Sequence, residues 1–350
     1  MRTEHPLYRE DVEFTAKLEL PWEKLQGKTV LMSGATGMIG SFLTDVLMAR
    51  NDMAGLNCRV YALTRNPEKA SKRAAPSWKD RVCFLSCDVN RGIPEIDGEI
   101  GFVIHAASNT HPVAYATDPI GTIETNILGT RNMLEVAAEK RAERFAFVSS
   151  VEIYGENRGD VERFDESYCG YIDCNTLRAG YPEGKRAGEA LCQAYLRQTG
   201  LDVVIPRLPR IYGPTMLESD TKAISQFLKK GLRGEDIVLK SAGTQLYSYS
   251  YVADAVSGIL FCLLCGACGE AYNIGDQGSD IPLKALAGLI AAYAGTEVVF
   301  ELPDVTEQAG YSKATKALLD GTKLKRLGWK PQYGIAEGIQ RTMEIMNSLG

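Results

Sequence analysis

The chain has 350 residues, 45% of them hydrophobic and 24% charged, with a net charge of −5. That length suggests about two lobes around a large core, and the acidic balance without a long basic run argues against a nucleic-acid partner. The longest apolar candidate for a membrane span, Ile259 to Cys265, is far too short, and the polar N-terminus has no signal-peptide core, so a cytoplasmic protein with no membrane partner is expected.

Residues 1 to about 27 read as a helical or irregular extension that packs Trp22 on the main body. An apolar run from Val30 then stops at Gly34, and a helical pattern begins (Ile39, Phe42, Leu43, Val46, Leu47). The turn between them, Gly34-Ala-Thr36-Gly37-Met38-Ile39-Gly40, has the spacing of a dinucleotide loop. Gly34 supplies the tight turn, Gly37 lets backbone approach a pyrophosphate, and Gly40 lets the helix close on the sheet. Thr36, Met38 and Ile39 complete the loop, where helix N–H groups face the phosphates.

The second strand, Cys58 to Leu63, ends in Thr64-Arg65, where many NAD-binding units place an acid for the ribose 2′-hydroxyl. A guanidinium there suits a 2′-phosphate and favours NADP over NAD, the alternative being that Arg65 is a solvated surface charge. Val82 to Leu85 reads as the third strand, after which Asp88, with Val89 beside it, is placed to meet the adenine edge. Phe102 to His105 is the fourth, and the small residues Ala106, Ala107 and Ser108 leave room for a nicotinamide ribose. A helix from about Ile120 to Arg141 carries Asn126 on its apolar stripe, as a core amide or as a brace for the site. The fifth strand, Phe145 to Val148, runs into Ser149-Ser150-Val151-Glu152. This alternation predicts an α/β fold, a doubly wound parallel Rossmann sheet with Ser150, Glu152, His105 and Ser108 at one edge.

Tyr181 and Lys185 open the next helix, and a spacing of four puts phenol and ammonium on one face. Lys185 is then expected to lower the phenol pKa and to reach a ribose, leaving Tyr181 able to move a proton near neutral pH. The nine cysteines include Cys262-x-x-Cys265-x-x-Cys268, but with only three histidines in the chain the expectation is reduced thiols and no metal.

These elements resemble the extended short-chain dehydrogenases/reductases of the nucleotide-sugar epimerase/dehydratase family. The motifs are the glycine turn, Asp88-Val89, His105 to Ser108, Asn126 to Thr130, Ser149-Ser150 with Tyr154-Gly155, Tyr181 with Lys185, Arg207 to Pro214, Tyr251 to Asp254 and Tyr272 to Gly275. Gly170-Tyr-Ile-Asp and Arg178-Ala-Gly-Tyr181-Pro-Glu-Gly-Lys185-Arg186 are nearest to the UDP-glucuronate decarboxylases. The resemblance implies a tightly bound, recycled NAD or NADP and a nucleotide-sugar substrate. Tyr181 takes the C4 hydroxyl proton, Ser150 holds the reacting oxygen, and Glu152 serves 4,6-elimination or decarboxylation at C5 of the 4-keto sugar. C4 epimerisation and net NADP-dependent carbonyl reduction are the alternatives, with a non-catalytic role the third. The resemblance also implies a homodimer paired through the helices that start near Ile120 and Tyr181.

The departures concern substrate binding. Val151 stands where the dehydratases carry Asp and the decarboxylases Ser, so no donor for a C6 leaving hydroxyl is supplied there. Tyr247 replaces the family's diphosphate arginine in Gly243-Thr-Gln-Leu-Tyr247, Thr215 replaces a frequent basic residue, and Gln308 to Lys313 holds no arginine for a glucuronate carboxylate. Arg207, Arg210, Lys222 or Lys313 is expected to compensate, with Arg178, Tyr247 and Tyr115, the last matched to a decarboxylase tyrosine, also at the substrate. The expected domains are an extension over 1–27, a dinucleotide domain over 28–212 with a return at about 248–275, and a substrate lobe from 213–247 and 276–350.

Overall fold

The computed structural model describes residues 2–72, 78, 80–110, 112–301 and 314–349. Five strands come first: β1 (Thr29–Ser33), β2 (Arg59–Thr64), β3 (Val82–Ser86), β4 (Phe102–His105) and β5 (Arg144–Phe147). After β6 (Ser149–Ser150) come β7 (Val203–Leu208), β8 (Arg210–Tyr212), β9 (Ile237–Leu239), β10 (Leu246–Tyr251) and β11 (Ala271–Asn273). The main sheet runs β11-β7-β5-β4-β1-β2-β3, with β6 also on β7. Its strands pair in parallel. β4 and β7 are buried along their whole length and β1 over four of its five residues, as expected of apolar strands covered by helices on both faces.

The helices follow from the sequence periodicity. They are α1 (Pro6–Ala16), α2 (Met38–Ala54), α3 (Pro67–Ser71), α4 (Pro112–Thr117), α5 (Pro119–Glu124), α6 (Thr130–Glu139), α7 (Gly180–Thr199), α8 (Ala223–Leu232), α9 (Val252–Cys265), α10 (Leu283–Ala294) and α11 (Ile335–Asn347). α2 stops at Gly55, whose φ of 60° is the left-handed cap. The long helix expected from Ile120 to Arg141 is instead α5 and α6 joined by a π turn over Thr125–Gly129. Such a turn carries one surplus residue and recurs at functional sites.

Sheet order reverses between β1 and β4, which run from the middle of the sheet in opposite directions, so the crevice for a ligand lies beyond their C-terminal ends. Above it stands a small lobe in which β10 pairs β8 in parallel and β12 (Asp280–Pro282) antiparallel, with β13 (Val298–Phe300) beside β9. The first 27 residues are tightly built into the body. Tyr8 of α1 donates to the Asp45 carboxylate of α2, and Asp11, with no exposed surface, accepts from Arg341 of α11 at 2.8 Å and from Tyr251 at 2.6 Å. Trp22 is buried, with its indole N–H on the Leu18 carbonyl. Cys262 is buried, Cys265 half-buried and Cys268 exposed. Among the described residues no three metal-binding side chains converge, and no helix is long and apolar enough to cross a membrane.

Candidate active site

The glycine turn adopts the geometry its spacing predicts. Gly34 has φ 70°, and a side chain there would strike the Ala106 backbone at 2.6 Å. One at Gly40 would overlap the Gly34 carbonyl, so both glycines bring α2 and the end of β4 against β1. A Cβ at Gly37 would meet only the Gly34 oxygen at 3.2 Å, and no side chain caps the first turn of α2. Uncapped N–H groups at a helix start beside open space suit a pyrophosphate, so the residues present fit a dinucleotide. Thr36 lies in this loop. Thr64 ends β2 buried, its hydroxyl accepting from the Asn66 N–H, while Arg65 is exposed.

Asp88 accepts from the Asn90 N–H at 3.1 Å, and buried Val89 packs under Gly129 of the π turn. Ala106 and Ala107 follow β4, with the Ala107 N–H on the Ser33 hydroxyl. Ser108 donates to Asn126 Oδ1 at 3.0 Å, and Asn126, with no exposed surface, donates to the Thr122 carbonyl. Gly184 of α7 lies against Asn126 so closely that a Cβ would stand 2.9 Å away. The amide thus couples the β4 end to the Tyr181 helix, as a brace.

A cavity of ≈ 480 Å³ lies between the sheet edge and the small lobe, within the usual range for a ligand site. Met38, Ile39, Ala106 and Ser108 form its cofactor side. Ser150, Glu152, Tyr181 and Lys185 stand at its centre. Tyr115, Arg178, Arg210, Lys222 and Tyr247 line the rest. Tyr181 and Tyr115 are both buried, their rings 5.1 Å apart, and the Ser150 hydroxyl hydrogen-bonds the Tyr181 phenol. Glu152 is held by Arg178 at 2.9 Å, and that guanidinium also lies over the Tyr115 ring at 4.4 Å.

Burial pushes the Tyr181 phenol up to about 12, against the Ser150 hydrogen bond, which lowers it. The expectation that Lys185 lowers this phenol is not met here. Its ammonium donates to the Val148 carbonyl at 2.8 Å, and burial brings it down to about 8. His105 is fully buried and depressed to about 3 by desolvation and by Lys185, with Nδ1 2.6 Å from the Ser33 hydroxyl.

Arg207 is not a substrate residue in this arrangement. It gives two bonds to Glu189, at 3.0 and 2.6 Å, and one each to the Tyr154 hydroxyl and the Glu166 carbonyl, facing away from the cavity lining. Lys222 is paired with Asp220 at 2.5 Å. Lys313 lies outside the described residues. Sequence reasoning missed Glu189, which also accepts from Ser149; the available signal was its place one turn after Lys185 on α7. Lys230, Lys240 and Glu301 of the lining were missed as well, because only the folded lobe brings them there.

A model of the NAD dependent epimerase/dehydratase family matches residues 30–275. The chain is 31% identical over 313 residues to UDP-glucuronic acid decarboxylase 5 of Arabidopsis thaliana, covering 89% of this chain and 86% of that protein. It is 30% identical over 317 residues to UDP-glucuronic acid decarboxylase 1 of Xenopus tropicalis, covering 90% and 71% respectively. Among solved structures, the dTDP-glucose 4,6-dehydratase DesIV of Streptomyces venezuelae, with NAD bound, matches with TM-score 0.77 at 25% identity, over 91% of this chain and 97% of that one. A UDP-glucose 4-epimerase of Thermotoga maritima shares the fold with TM-score 0.77 at 23% identity, over 92% and 99%. With its glycine turn and Ser150, Tyr181 and Lys185 gathered at one sheet edge, the chain belongs to the NAD-dependent epimerase/dehydratase family and is an enzyme of the extended short-chain dehydrogenase/reductase type.

Proposed function

We propose that the enzyme converts a nucleotide sugar through a transient 4-keto sugar and then carries out elimination or decarboxylation at C5. The observation that supports this best is the convergence of Tyr181, Ser150 and Glu152 in one cavity, with a carboxylate beyond what C4 oxidation needs. The dinucleotide, held by the glycine turn, the β4 end and Lys185, supplies the hydride acceptor when bound. Tyr181 receives the C4 hydroxyl proton while Ser150 donates to its oxygen, as it does in this structure. Glu152 then serves as base at C5, with Arg178 fixing its position. Val151 is apolar and buried, so no acid at that position protonates a C6 leaving hydroxyl, which favours decarboxylation over elimination. A second reading, C4 epimerisation, is favoured by the Glu152–Arg178 ion pair, because a carboxylate held by a guanidinium is less available as a base.

The exposed Arg65 and the absence of an acid at the end of β2 support NADP as the dinucleotide. A homodimer is supported by the exposed apolar side chains Ile120, Ile123, Leu128 and Leu177 beside α5 and α7. The test is incubation of the purified enzyme with a panel of nucleotide sugars and measurement of product mass. Loss of carbon dioxide or water without net cofactor consumption supports the reading, and an unchanged mass moves it to epimerisation. Glu152→Gln is expected to slow the C5 step about 10²- to 10⁴-fold while C4 oxidation persists. Full activity of Tyr181→Phe would refute the mechanism.

A further inference from the structure

We infer that Arg210 grips the diphosphate of the substrate, replacing the arginine absent at position 247; the inference rests on the nucleotide-sugar reading above. Arg210 belongs to β8 and Tyr247 to the adjoining β10, in the ladder that pairs Arg210 with Tyr249. The Arg210 guanidinium carbon lies 3.4 Å from the Tyr247 ring centroid, so a positive charge stands over the residue that lost one. The Tyr247 hydroxyl donates to the Ala314 carbonyl at 2.6 Å and thereby fixes the ring as a platform.

A guanidinium stacked on a ring keeps its N–H groups in the plane of the fork, the arrangement that grips two anionic oxygens at once. The other basic candidates are committed elsewhere: Arg207 to Glu189, Arg178 to Glu152 and Lys222 to Asp220. Among the described residues Arg210 has no carboxylate partner, and its Nη1 is buried without any hydrogen-bond partner while the side chain lines the cavity. A buried donor left unpaired is unfavourable, so an arriving anion gains what the free protein lacks. Six basic side chains face two acidic ones around this cavity, in a chain whose net charge is −5. The local field therefore suits a substrate with several negative charges.

The same fork could meet a carboxylate on the sugar, and the experiment separates the two sources. Calorimetric titration of the cofactor-loaded wild type, Arg210→Met and Arg210→Lys uses UDP, dTDP and GDP, their monophosphates, and the pair UDP-glucose and UDP-glucuronate. Arg210→Met is expected to weaken the best nucleoside diphosphate about 10- to 100-fold, the span of one or two charge-assisted hydrogen bonds. Arg210→Lys keeps the charge without the fork and loses less, and the monophosphates change by less than about threefold. A loss confined to UDP-glucuronate assigns the guanidinium to a sugar carboxylate and overturns the diphosphate assignment. Unchanged diphosphate affinity in Arg210→Met, beside a wild type that converts a nucleotide sugar, overturns the inference alone. Failure of the wild type to bind any of the three diphosphates overturns the nucleotide-sugar reading with it.

Discussion

Replacing Lys185 with Met is expected to abolish turnover and, at neutral pH, to leave the cofactor-stripped protein as stable as the wild type or more so. The ammonium is 2% exposed, and burial lowers it from 10.5 to about 8. That difference corresponds to about 3 kcal/mol of unfavourable burial at pH 7. Methionine fills a similar length without the charge but leaves the Val148 carbonyl without its 2.8 Å donor, at a cost of about 1–3 kcal/mol. The net change at pH 7 therefore lies between zero and about 2 kcal/mol in favour of the variant. The folded pKa lies below the unfolded one, so between about 8 and 10.5 the unfolded chain holds the extra proton and wild-type stability rises with pH. Below that window the penalty is present in full; above it the penalty is gone. Urea unfolding at pH 7 and pH 9.5 should show the difference between the two proteins moving by about 2 kcal/mol toward the wild type. A difference that does not change with pH would refute the argument, because it would mean that Lys185 is as easily charged inside the fold as outside it.

Two further perturbations test the frame around the site. Gly40→Ala forces a methyl into the Gly34 carbonyl and so displaces α2 from β1; a loss of about 1–3 kcal/mol in denaturant unfolding is expected, with at least tenfold weaker dinucleotide binding, and unchanged affinity would contradict the close-approach role. Arg341→Met leaves the Asp11 carboxylate buried without its cation. A loss of about 3–5 kcal/mol follows, recovered in part by adding Asp11→Asn, and a thermal melt with no change would show that the pair contributes nothing.

The dinucleotide turn and the Tyr181–Lys185 pair were legible because their chemistry is local. Three glycines at fixed spacing and two side chains one helical turn apart need no knowledge of the rest of the fold. Arg207 was misread for the opposite reason. It sits in a motif beside the substrate strand, but its direction is decided by Glu189, 18 residues earlier on α7, and by Tyr154, so only the packed structure shows that it faces away. The Arg210–Tyr247 stack depends on the pairing of β8 with β10, which no periodicity within either strand encodes. The π turn escaped notice because one surplus residue hardly disturbs an apolar stripe, yet it sets where Asn126 points. The environment of Lys185 was also hidden: spacing brings it to the phenol's face of the helix, but the carbonyl that takes its proton belongs to the residue after β5.

The N-terminal helix has a mechanical consequence. α1 touches α2, which carries the dinucleotide turn, and through Asp11 it holds α11, which packs against α8 of the substrate lobe. Opposite ends of the polypeptide, 330 residues apart, are thereby clamped into one strut spanning both halves of the cleft. A strut in that position resists hinge opening, so the width of the cavity is set largely before a substrate arrives. Shortening the chain by its first 16 residues would remove nothing from the active site and still loosen the walls that define it.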